Sequence, residues 1–446
     1  MEITIEQILE ARERRVDRQK ALLEQYKLPL VCFTMNIAGP EKCNELVRWG
    51  FELGNHWLLA QLSDLRVLHK ELYVEPTGCE GYYVVDITPE ELKYRAVMVE
   101  DHAPVARLFD MDVLDCDGNK LERTALGFPG RKCLLCDNPA HACGRSRAHT
   151  VAQLQAETKR LLQEAINQED CHRIGQIAQK SLLYEVCTTP KPGLVDCNNS
   201  GSHKDMDIFT FMASSAALGD YFRECAKIGI ETRHLDTEKI LPRLRFPGKL
   251  AEQAMYQATN GVNTHKGCIF SLGILCAAAG RLVATERNPQ NILYVCKQIA
   301  KGITGELANK ANTVGEKLYA QHGITGVRGQ AEAGFPAVLQ VGLPTLQKGL
   351  KQGLSLNDAG CATLLALLTA TVDTNLIHRS GLPQQQAISA QIAELLEKDI
   401  FPAKEILEVL DRQFIETNLS PGGSADLLAL TYFLHFLLID KNPCNI

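Results

Sequence analysis

The segment Leu108-Phe-Asp-Met-Asp-Val-Leu-Asp115 alternates apolar and acidic residues, which predicts a β-strand that is buried on one face. Residues two positions apart share a face of a strand, so the apolar residues would point to the core while Asp110 and Asp112 project together on the other side. Two neighbouring carboxylates suit a catalytic Mg²⁺ or Mn²⁺ ion whose remaining ligands are water and substrate phosphates. The alternative is a solvated edge strand with ordinary acidic residues.

Other β-type segments lie on both sides of this strand in the sequence. Leu28–Met35 is a short apolar run, and Tyr82–Ile87 and Tyr94–Val99 are rich in aromatic and β-branched residues. Asp117-Gly-Asn119 marks a turn directly after the strand. We therefore expect an α+β domain over residues 1–150, with an antiparallel or mixed sheet that resembles nucleotidyltransferases only by analogy from the Asp-x-Asp motif.

The composition changes at about Val151. From there Ala, Leu, Gln, Lys and Glu recur at helical period, and Gly, Pro and Asn clusters interrupt them. The 446 residues also exceed the roughly 250–300 at which a single core stops growing. We expect a helical connector over 151–170 and a larger all-α domain over 171–446.

The charge balance and the cysteine content restrict the possible partners. Lys and Arg total 47 against 53 Asp and Glu, so the chain lacks the basic excess that non-specific nucleic-acid binding requires. The N-terminus reads as a charged helix without a signal peptide, and the most apolar stretch, Leu427–Ile439, is shorter than a membrane span of about 20 residues. Together with 16 cysteines, this predicts a cytoplasmic protein with free thiols and with no nucleic-acid or membrane partner.

A cationic stretch follows the Asp-x-Asp segment. Arg131, Arg145 and Arg147 are candidate phosphate ligands, because guanidinium groups bind phosphate oxygens in pairs. A pair of metal-binding carboxylates followed by cationic side chains suits a polyphosphate substrate.

The same stretch contains a group of possible zinc ligands. The cysteine pair of Cys133-Leu-Leu-Cys136 is followed by Cys143 and His149, which together offer a tetrahedral Cys₃His set. The spacing is shorter than in two-knuckle zinc patterns, and the alternative is a loop with reduced, partly buried cysteines.

Four polar clusters recur at the ends of predicted helices in the second half. The candidates for Mg²⁺ binding and acid–base catalysis are Asp196, His203, Asp205 and Asp207. The other polar residues of the clusters are candidates for substrate or phosphate binding. Asp207 has an alternative role as the N-cap of a helix that begins near Ile208. The candidates are Lys191, Asp196, Asn199, His203, Asp205 and Asp207 in the first cluster, His265 and Lys266 in the second, Arg328 and Glu332 in the third, and Asp373, Asn375, Arg379 and Asp426 in the fourth.

The motifs of the two halves resemble two different families. The segments 108–113, Arg131-Lys-Cys-Leu-Leu-Cys136 and Cys143-Gly-Arg-Ser-Arg-Ala-His149 resemble the apo-citrate lyase phosphoribosyl-dephospho-CoA transferases. From about residue 165 onward the chain resembles the triphosphoribosyl-dephospho-CoA synthases, on the following motifs: Pro190-Lys-Pro-Gly-Leu-Val-Asp196, Gly261-Val-Asn-Thr-His-Lys-Gly267, Arg328-Gly-Gln-Ala-Glu332 and Ser420-Pro-Gly-Gly-Ser-Ala-Asp426.

The resemblance implies two consecutive reactions. The second half would join ATP and dephospho-CoA and release adenine. The first half would transfer phosphoribosyl-dephospho-CoA to a serine of the citrate lyase acyl carrier (gamma) subunit and release pyrophosphate. The proposed metal ligands are Asp110 and Asp112 in the first half and Asp205 and Asp207 in the second half. The alternative is a Mg²⁺-dependent hydrolase of ribosyl linkages fused to a zinc-stabilised interaction module. A hydrolase would release adenine without dephospho-CoA.

Overall fold

The computed structural model describes residues 3–308 and 313–439. These residues form two compact units that divide between Ile166 and Asn167, inside a long helix, and we call them the N-terminal and C-terminal units. The N-terminal unit contains α1 (Ile5–Tyr26), β1 (Leu30–Met35), α2 (Glu45–Gln61), β2 (Val67–Glu75), β3 (Gly78–Val85), α3 (Pro89–Glu100), β4 (Phe109–Leu114), β5 (Lys120–Leu121), α4 (Ala140–Ser146) and the first part of α5 (Val151–Cys187).

The N-terminal unit is built on a five-stranded antiparallel sheet with the order β2-β3-β1-β4-β5. The side chains of Phe33, Phe109 and Met111 lie in the core that this sheet forms with α2 and α3. On the opposite face, Leu22 and Leu23 of α1 pack on other residues of the sheet. The predicted α+β fold and the predicted strand around Asp110 are confirmed.

The predicted β-segment Tyr94–Val99 is wrong, because these residues lie in α3. The local start signals explain the helix: the Thr88 side chain accepts a hydrogen bond from the backbone N–H of Glu91, and Pro89 occupies the first turn. Aromatic and β-branched residues favour strands only weakly and according to context, so these helix-start signals prevail.

The C-terminal unit is entirely helical in the part that the structure describes, as predicted. After the second part of α5, its helices are α6 (Ile208–Glu231), α7 (Ile240–Ala258), α8 (Lys266–Arg281), α9 (Pro289–Ile299), α10 (Val314–His322), α11 (Gly326–Ala333), α12 (Leu343–Lys351), α13 (Leu356–Ala370), α14 (Thr374–Ser380), α15 (Leu382–Lys398), α16 (Lys404–Glu416) and α17 (Gly422–Ile439). Helices α6 and α8 approach closely, because a Cβ atom on Gly229 would lie 2.0 Å from the Ala277 carbonyl oxygen.

The apolar segment Leu427–Ile439 lies in α17 and is largely buried, as expected. With its 18 residues, α17 is nevertheless long and apolar enough to cross a membrane, and 72% of it is buried inside the protein. The pair α13 and α14 passes the same test when both are taken as one span bent by 71°. Burial of this extent is typical of the core helix of a folded domain.

Candidate active sites

Asp110 and Asp112 project from the same face of β4. They lie opposite Thr34 and Cys32 of β1, and the alternate residues Phe109 and Met111 are fully buried. Burial raises the pKa of Asp110, and the neighbouring Asp112 carboxylate adds to this effect. Lys120 lies 2.6 Å from Asp112. The two carboxylates are therefore adjacent, as the alternation predicts, and a cation already balances part of their charge.

Two buried charges that the sequence analysis missed support this strand. The Glu100 carboxylate accepts a 2.8 Å hydrogen bond from the Met111 backbone N–H, and Lys93 donates a 2.9 Å hydrogen bond to the Met111 carbonyl oxygen. Glu100 also lies 2.6 Å from Arg131, so this glutamate joins β4 to the cationic segment. The buried position of Lys93 could have been recognised from the sequence, because this lysine lies between Leu92 and Ala96 on the core face of a helix.

The predicted zinc ligands lie together. The ligand atoms of Cys133, Cys136, Cys143 and His149 are all within 4.8 Å of one another, the one such group of three or more possible ligands among residues 3–308 and 313–439. Cys136 Sγ lies 3.5 Å from Cys143 Sγ and 3.4 Å from His149 Nε2. Tetrahedral zinc with Zn–S bonds of about 2.3 Å separates its sulfur ligands by about 3.7 Å, so the donor set and the spacing fit this ion.

The local backbone favours the metal-binding form of Cys133. Burial raises its thiol pKa, but backbone N–H groups of Leu135 and Cys136 act against burial and hold the pKa below its ordinary value. The thiolate is the form that binds metals. The pKa of Cys143 is instead raised to about 11, first by its hydrogen bond with Cys136, which is the expected behaviour of crowded thiols without an ion.

A cavity of about 750 Å³ adjoins the cysteine cluster. Arg131, one of the predicted phosphate ligands, lines it, whereas Arg145 and Arg147 are exposed residues at the end of α4 that do not line it. Asp110 and Asp112 are not lining residues either. Three further cations, Arg107, Arg123 and Lys132, complete the cationic lining.

In the C-terminal unit, Lys191 and Asp196 shape the loop that follows α5. The Asp196 carboxylate accepts hydrogen bonds from the backbone N–H groups of Lys191 at 2.9 Å and Asn198 at 2.7 Å, and burial raises its pKa. The Lys191 side chain is only 1% exposed, and its ammonium contacts both the carboxylate and the backbone carbonyl of Glu185. The structure therefore gives the Lys191 ammonium an internal partner that the sequence analysis missed.

His203 is held as a neutral imidazole between Arg379 of α14 and Ser420, which precedes α17. Its Nδ1 lies 3.2 Å from the Arg379 guanidinium, which can only donate, so Nδ1 must accept and the proton lies on Nε2. Nε2 then donates to the Ser420 hydroxyl at 2.9 Å. Burial, followed by the charge of Arg379, lowers the pKa of His203. The exposed Asp205 carboxylate lies 3.9 Å from Nδ1.

The remaining polar residues of this loop have structural contacts. Asp207 caps α6, since its carboxylate accepts hydrogen bonds from the backbone N–H and the hydroxyl of Thr210. This geometry matches the capping role that the sequence left open. The Asn199 side chain donates a 2.8 Å hydrogen bond to buried Asp411, which the sequence analysis also missed.

His265 is buried immediately before α8. Thr264 donates a hydrogen bond to the Ser214 hydroxyl, which leaves the Ser214 proton for His265 Nδ1 at 2.7 Å. The proton of the imidazole therefore lies on Nε2, which has no hydrogen-bond partner among the described residues. Burial, with a contribution from Lys191, lowers the pKa of His265 to about 3.

Asp426 lies against the start of α8. The Cys268 thiol donates a 2.9 Å hydrogen bond to its carboxylate, and burial raises the pKa of Asp426 to about 7. A Cβ atom on Gly267 would lie 1.8 Å from the Asp426 carboxylate, so this position requires glycine. Lys266 points elsewhere and forms a half-exposed ion pair with Glu252 at 3.0 Å.

Of the other predicted residues, two carboxylates accept hydrogen bonds from backbone N–H groups, and one arginine keeps an unpartnered nitrogen. Asp373 caps α14 through the backbone N–H of Asn375 and accepts a 2.7 Å hydrogen bond from that of Ser424, and burial raises its pKa. Glu332 accepts a 2.6 Å hydrogen bond from the Gly302 backbone and therefore braces a neighbouring loop. Arg328 lies 3.9 Å from Glu316 and keeps one buried nitrogen, Nη1, without a hydrogen-bond partner among the described residues.

The first two clusters contact the fourth at the segment Ser420–Asp426, which leads into α17. His203 of the first cluster contacts Ser420, and Gly267 of the second lies against Asp426. The third cluster contacts the fourth, because a Cβ atom on Gly326 would lie 3.0 Å from Thr374. The first, second and fourth clusters thus form one polar region at the N-terminus of α17, and the third lies beside α14.

Comparison with known proteins agrees with this arrangement. Residues 171–443 match the family described as ATP:dephospho-CoA triphosphoribosyl transferase. The chain belongs to this family. Residues 3–165 match the family described as apo-citrate lyase phosphoribosyl-dephospho-CoA transferase.

Two relatives align with nearly the whole chain, and a third aligns with about three fifths of it. A protein of Haemophilus influenzae, "Protein CitXG", is 37% identical over 97% of this chain and 96% of its own length. A second "Protein CitXG", from Leuconostoc mesenteroides, is 34% identical over 97% of both chains. A probable 2-(5''-triphosphoribosyl)-3'-dephosphocoenzyme-A synthase of Vibrio cholerae is 42% identical over 59% of this chain and 88% of its own length.

The chain is therefore a fusion of two transferases, a bifunctional enzyme of citrate lyase maturation. The predicted family relationship and enzyme class are confirmed. The alternative, a ribosyl-linkage hydrolase fused to an interaction module, has no support in these matches.

Proposed function

We propose that the C-terminal unit makes 2'-(5''-triphosphoribosyl)-3'-dephospho-CoA and that the N-terminal unit consumes it. In the first reaction a ribose hydroxyl oxygen of dephospho-CoA bonds to C1' of the ATP ribose, and the bond from C1' to adenine breaks. The hydroxyl loses its proton, and adenine leaves with a proton. The contacts of the first and second motif clusters with Ser420–Asp426 of the fourth support this assignment most directly.

We assign the acid–base role in this reaction to Asp426. Its pKa of about 7 lies close to working pH, where a carboxylate can take the hydroxyl proton and pass a proton on to the departing adenine. The neutral His265 imidazole offers a fixed Nε2–H donor to the substrate, and Arg328 offers a partly buried cation. Exposed Lys266 suits the charged triphosphate, and exposed Asp205 suits a divalent ion that accompanies it.

In the second reaction the serine hydroxyl of the citrate lyase acyl carrier subunit attacks the α-phosphorus of the intermediate. The serine Oγ–P bond forms as the hydroxyl proton passes to solvent, the bond between the α-phosphorus and the oxygen that bridges it to the β-phosphate breaks, and pyrophosphate leaves. Asp110 and Asp112 would hold Mg²⁺ or Mn²⁺ in this unit, and Asp205, with Asp207 beside it, would do so in the other. A bound divalent ion would neutralise part of the phosphate charge.

We further propose a structural zinc ion at Cys133, Cys136, Cys143 and His149, which supports the surrounding loop. The donor set and its spacing are those of closed structural sites. We place the boundary of the two activities within α5, near residues 151–170, and the enzyme in the cytoplasm, where thiols stay reduced and no membrane or nucleic-acid partner is needed.

Mass spectrometry of the apo acyl carrier protein tests both reactions. After incubation with the enzyme, ATP, dephospho-CoA and Mg²⁺, the carrier should gain the mass of one phosphoribosyl-dephospho-CoA. Asp112→Asn should abolish this gain but leave adenine release unchanged. Carrier modification by the Asp112→Asn enzyme would refute the metal role, and adenine release without dephospho-CoA would refute the synthase reaction.

A further inference from the structure

The cavity of the N-terminal unit has the size and the lining of a site for an anionic ligand. Its volume of about 750 Å³ lies within the roughly 300–1,000 Å³ of small-molecule sites. Ala103, Pro104, Leu108, Leu134 and Leu154 contribute apolar surface. This combination of apolar wall and charge suits an organic phosphate better than a bare ion.

The cations of the lining exceed its acids. Arg107, Arg123, Arg131 and Lys132 line the cavity, against the two carboxylates Glu100 and Asp101. Arg123 pairs with Asp101, and the Glu100 carboxylate is shared between Arg131 and the backbone of β4. A net positive charge therefore remains on the wall.

Polar atoms without partners identify where a ligand would bind. Arg123 Nε, Arg131 Nη2 and Glu100 Oε2 are buried and have no hydrogen-bond partner among the described residues, although Arg131 Nη2 forms an ion pair with Glu100. The Glu100 side chain is only 2% exposed. Because Arg131 Nη2 is paired with Glu100, the unpaired donor is Arg123 Nε. Leaving a buried donor unpaired costs about 1–3 kcal/mol, so a ligand oxygen that accepts from Arg123 Nε would bind with a gain.

The cavity is electrostatically linked to the catalytic strand. Arg131 lines the cavity and also lowers the pKa of Asp110, against the raising effects of burial and of Asp112. Arg107 donates a hydrogen bond to the Cys133 carbonyl, which fixes one cation of the wall to the cysteine cluster. A phosphate chain held here would lie within the electrostatic reach of the Asp-x-Asp pair.

We propose that this cavity binds the diphosphate end of the triphosphorylated ribosyl substrate, and that Arg107, Arg123, Arg131 and Lys132 hold the group that leaves as pyrophosphate. Of the three arginines that the sequence predicts as phosphate ligands, Arg131 lines the cavity, whereas Arg145 and Arg147 do not. This inference rests on the proposed transferase activity, and it adds the subsite and the residues that recognise the leaving group.

Calorimetric titration of inorganic pyrophosphate into the full-length enzyme at fixed Mg²⁺ tests the subsite. Arg131→Ala should weaken the cavity's binding about 10- to 100-fold, the range expected for a lost charge-assisted pair. Lys132→Ala should weaken it in the same direction, and because Lys132 is exposed this variant should fold normally. Arg14→Ala, which removes an exposed cation paired with Glu75, is the matched control and should bind like the wild type.

The KM of the carrier reaction for the triphosphoribosyl intermediate is the second measurement. It should rise in both cavity variants and stay unchanged in Arg14→Ala. Unchanged pyrophosphate affinity and unchanged KM in Arg131→Ala and Lys132→Ala, with the carrier still modified, would overturn the subsite. A wild-type enzyme that binds pyrophosphate through these cations but never modifies the carrier would instead overturn the transferase assignment and leave the anion site standing.

Discussion

Lys191→Met tests whether the lysine of the Pro190-Lys-Pro-Gly motif is a structural cation. The Lys191 and Glu185 side chains are 1% and 6% exposed, and the ammonium contacts both the carboxylate and the carbonyl oxygen of Glu185. Replacing the lysine leaves a carboxylate buried without its counter-ion. Breaking a buried pair in this way costs about 3–5 kcal/mol, whereas replacing both partners by uncharged residues is far less costly.

The pH dependence of the loss follows from the glutamate. Burial raises the pKa of Glu185, and Lys191 acts against that rise. Without Lys191 the pKa rises further, so the folded variant takes up a proton at higher pH than the unfolded chain does. Its stability is then lost as pH rises through the folded pKa, and the penalty of Lys191→Met should be smaller at acidic pH than at pH 8.

Urea unfolding of the full chain, followed through the transition of the C-terminal unit, measures the effect. With an m-value of about 2 kcal/mol/M, the expected loss lowers the midpoint by about 1.5–2.5 M. Glu185→Gln with Lys191→Met should recover most of it. Lys398→Met removes the exposed pair with Glu394 and should leave the midpoint unchanged. A midpoint loss below about 0.5 M for Lys191→Met, together with a raised KM for ATP, would refute the buried pair and restore the predicted phosphate role.

Three further perturbations separate structural from catalytic roles. Metal analysis should find one zinc per chain, and its removal by a chelator, or by Cys133→Ser, should reduce carrier modification and the stability of the N-terminal unit but spare adenine release; zinc-free protein with full transfer activity would contradict this. Because burial raises the pKa of Asp426 from 3.8 to about 7, the wild-type unfolding free energy should fall as pH rises from about 4 to about 7, and Asp426→Asn should flatten this slope in urea titrations; an unchanged slope would place the proton elsewhere. Asp207→Ser keeps a capping side chain and should retain both Tm and adenine release, whereas Asp207→Ala should lower Tm, and equal loss of adenine release in both variants would indicate a metal ligand instead.

The fold was predictable where a pattern is local and repeats. Alternation located β4, and helical period identified the C-terminal unit as all-α. The segment Tyr94–Val99 was misassigned because its composition favours strands, while the deciding signals lie upstream at Thr88 and Pro89. The antiparallel order of the strands depends on pairings between distant segments, which no single segment encodes.

The residue types of the site were predictable, but their environments were not. Lys191 and Lys266 look equivalent in sequence, yet one is buried against Glu185 and the other is half-exposed beside Glu252. Burial depends on long-range packing, and it decides whether a cation meets a carboxylate of the same chain or remains available to a ligand. For the same reason the buried partner Glu100, which lies inside a helix and outside every recognised motif, was missed.

The hydrogen-bond partners of the polar side chains indicate which groups of the C-terminal unit are available to bind an anion. A buried donor without a partner destabilises the folded chain, so such donors are expected where a ligand completes them. Lys191, Arg379 and Asn199 have protein partners, whereas His265 Nε2 and Arg328 Nη1 have no hydrogen-bond partner among the described residues. The Thr264–Ser214 chain fixes the His265 proton on the unpartnered nitrogen. Phosphate and ribose oxygens accept hydrogen bonds, so we propose that the substrate supplies the partners of these two donors rather than of the lysine that the motif suggests.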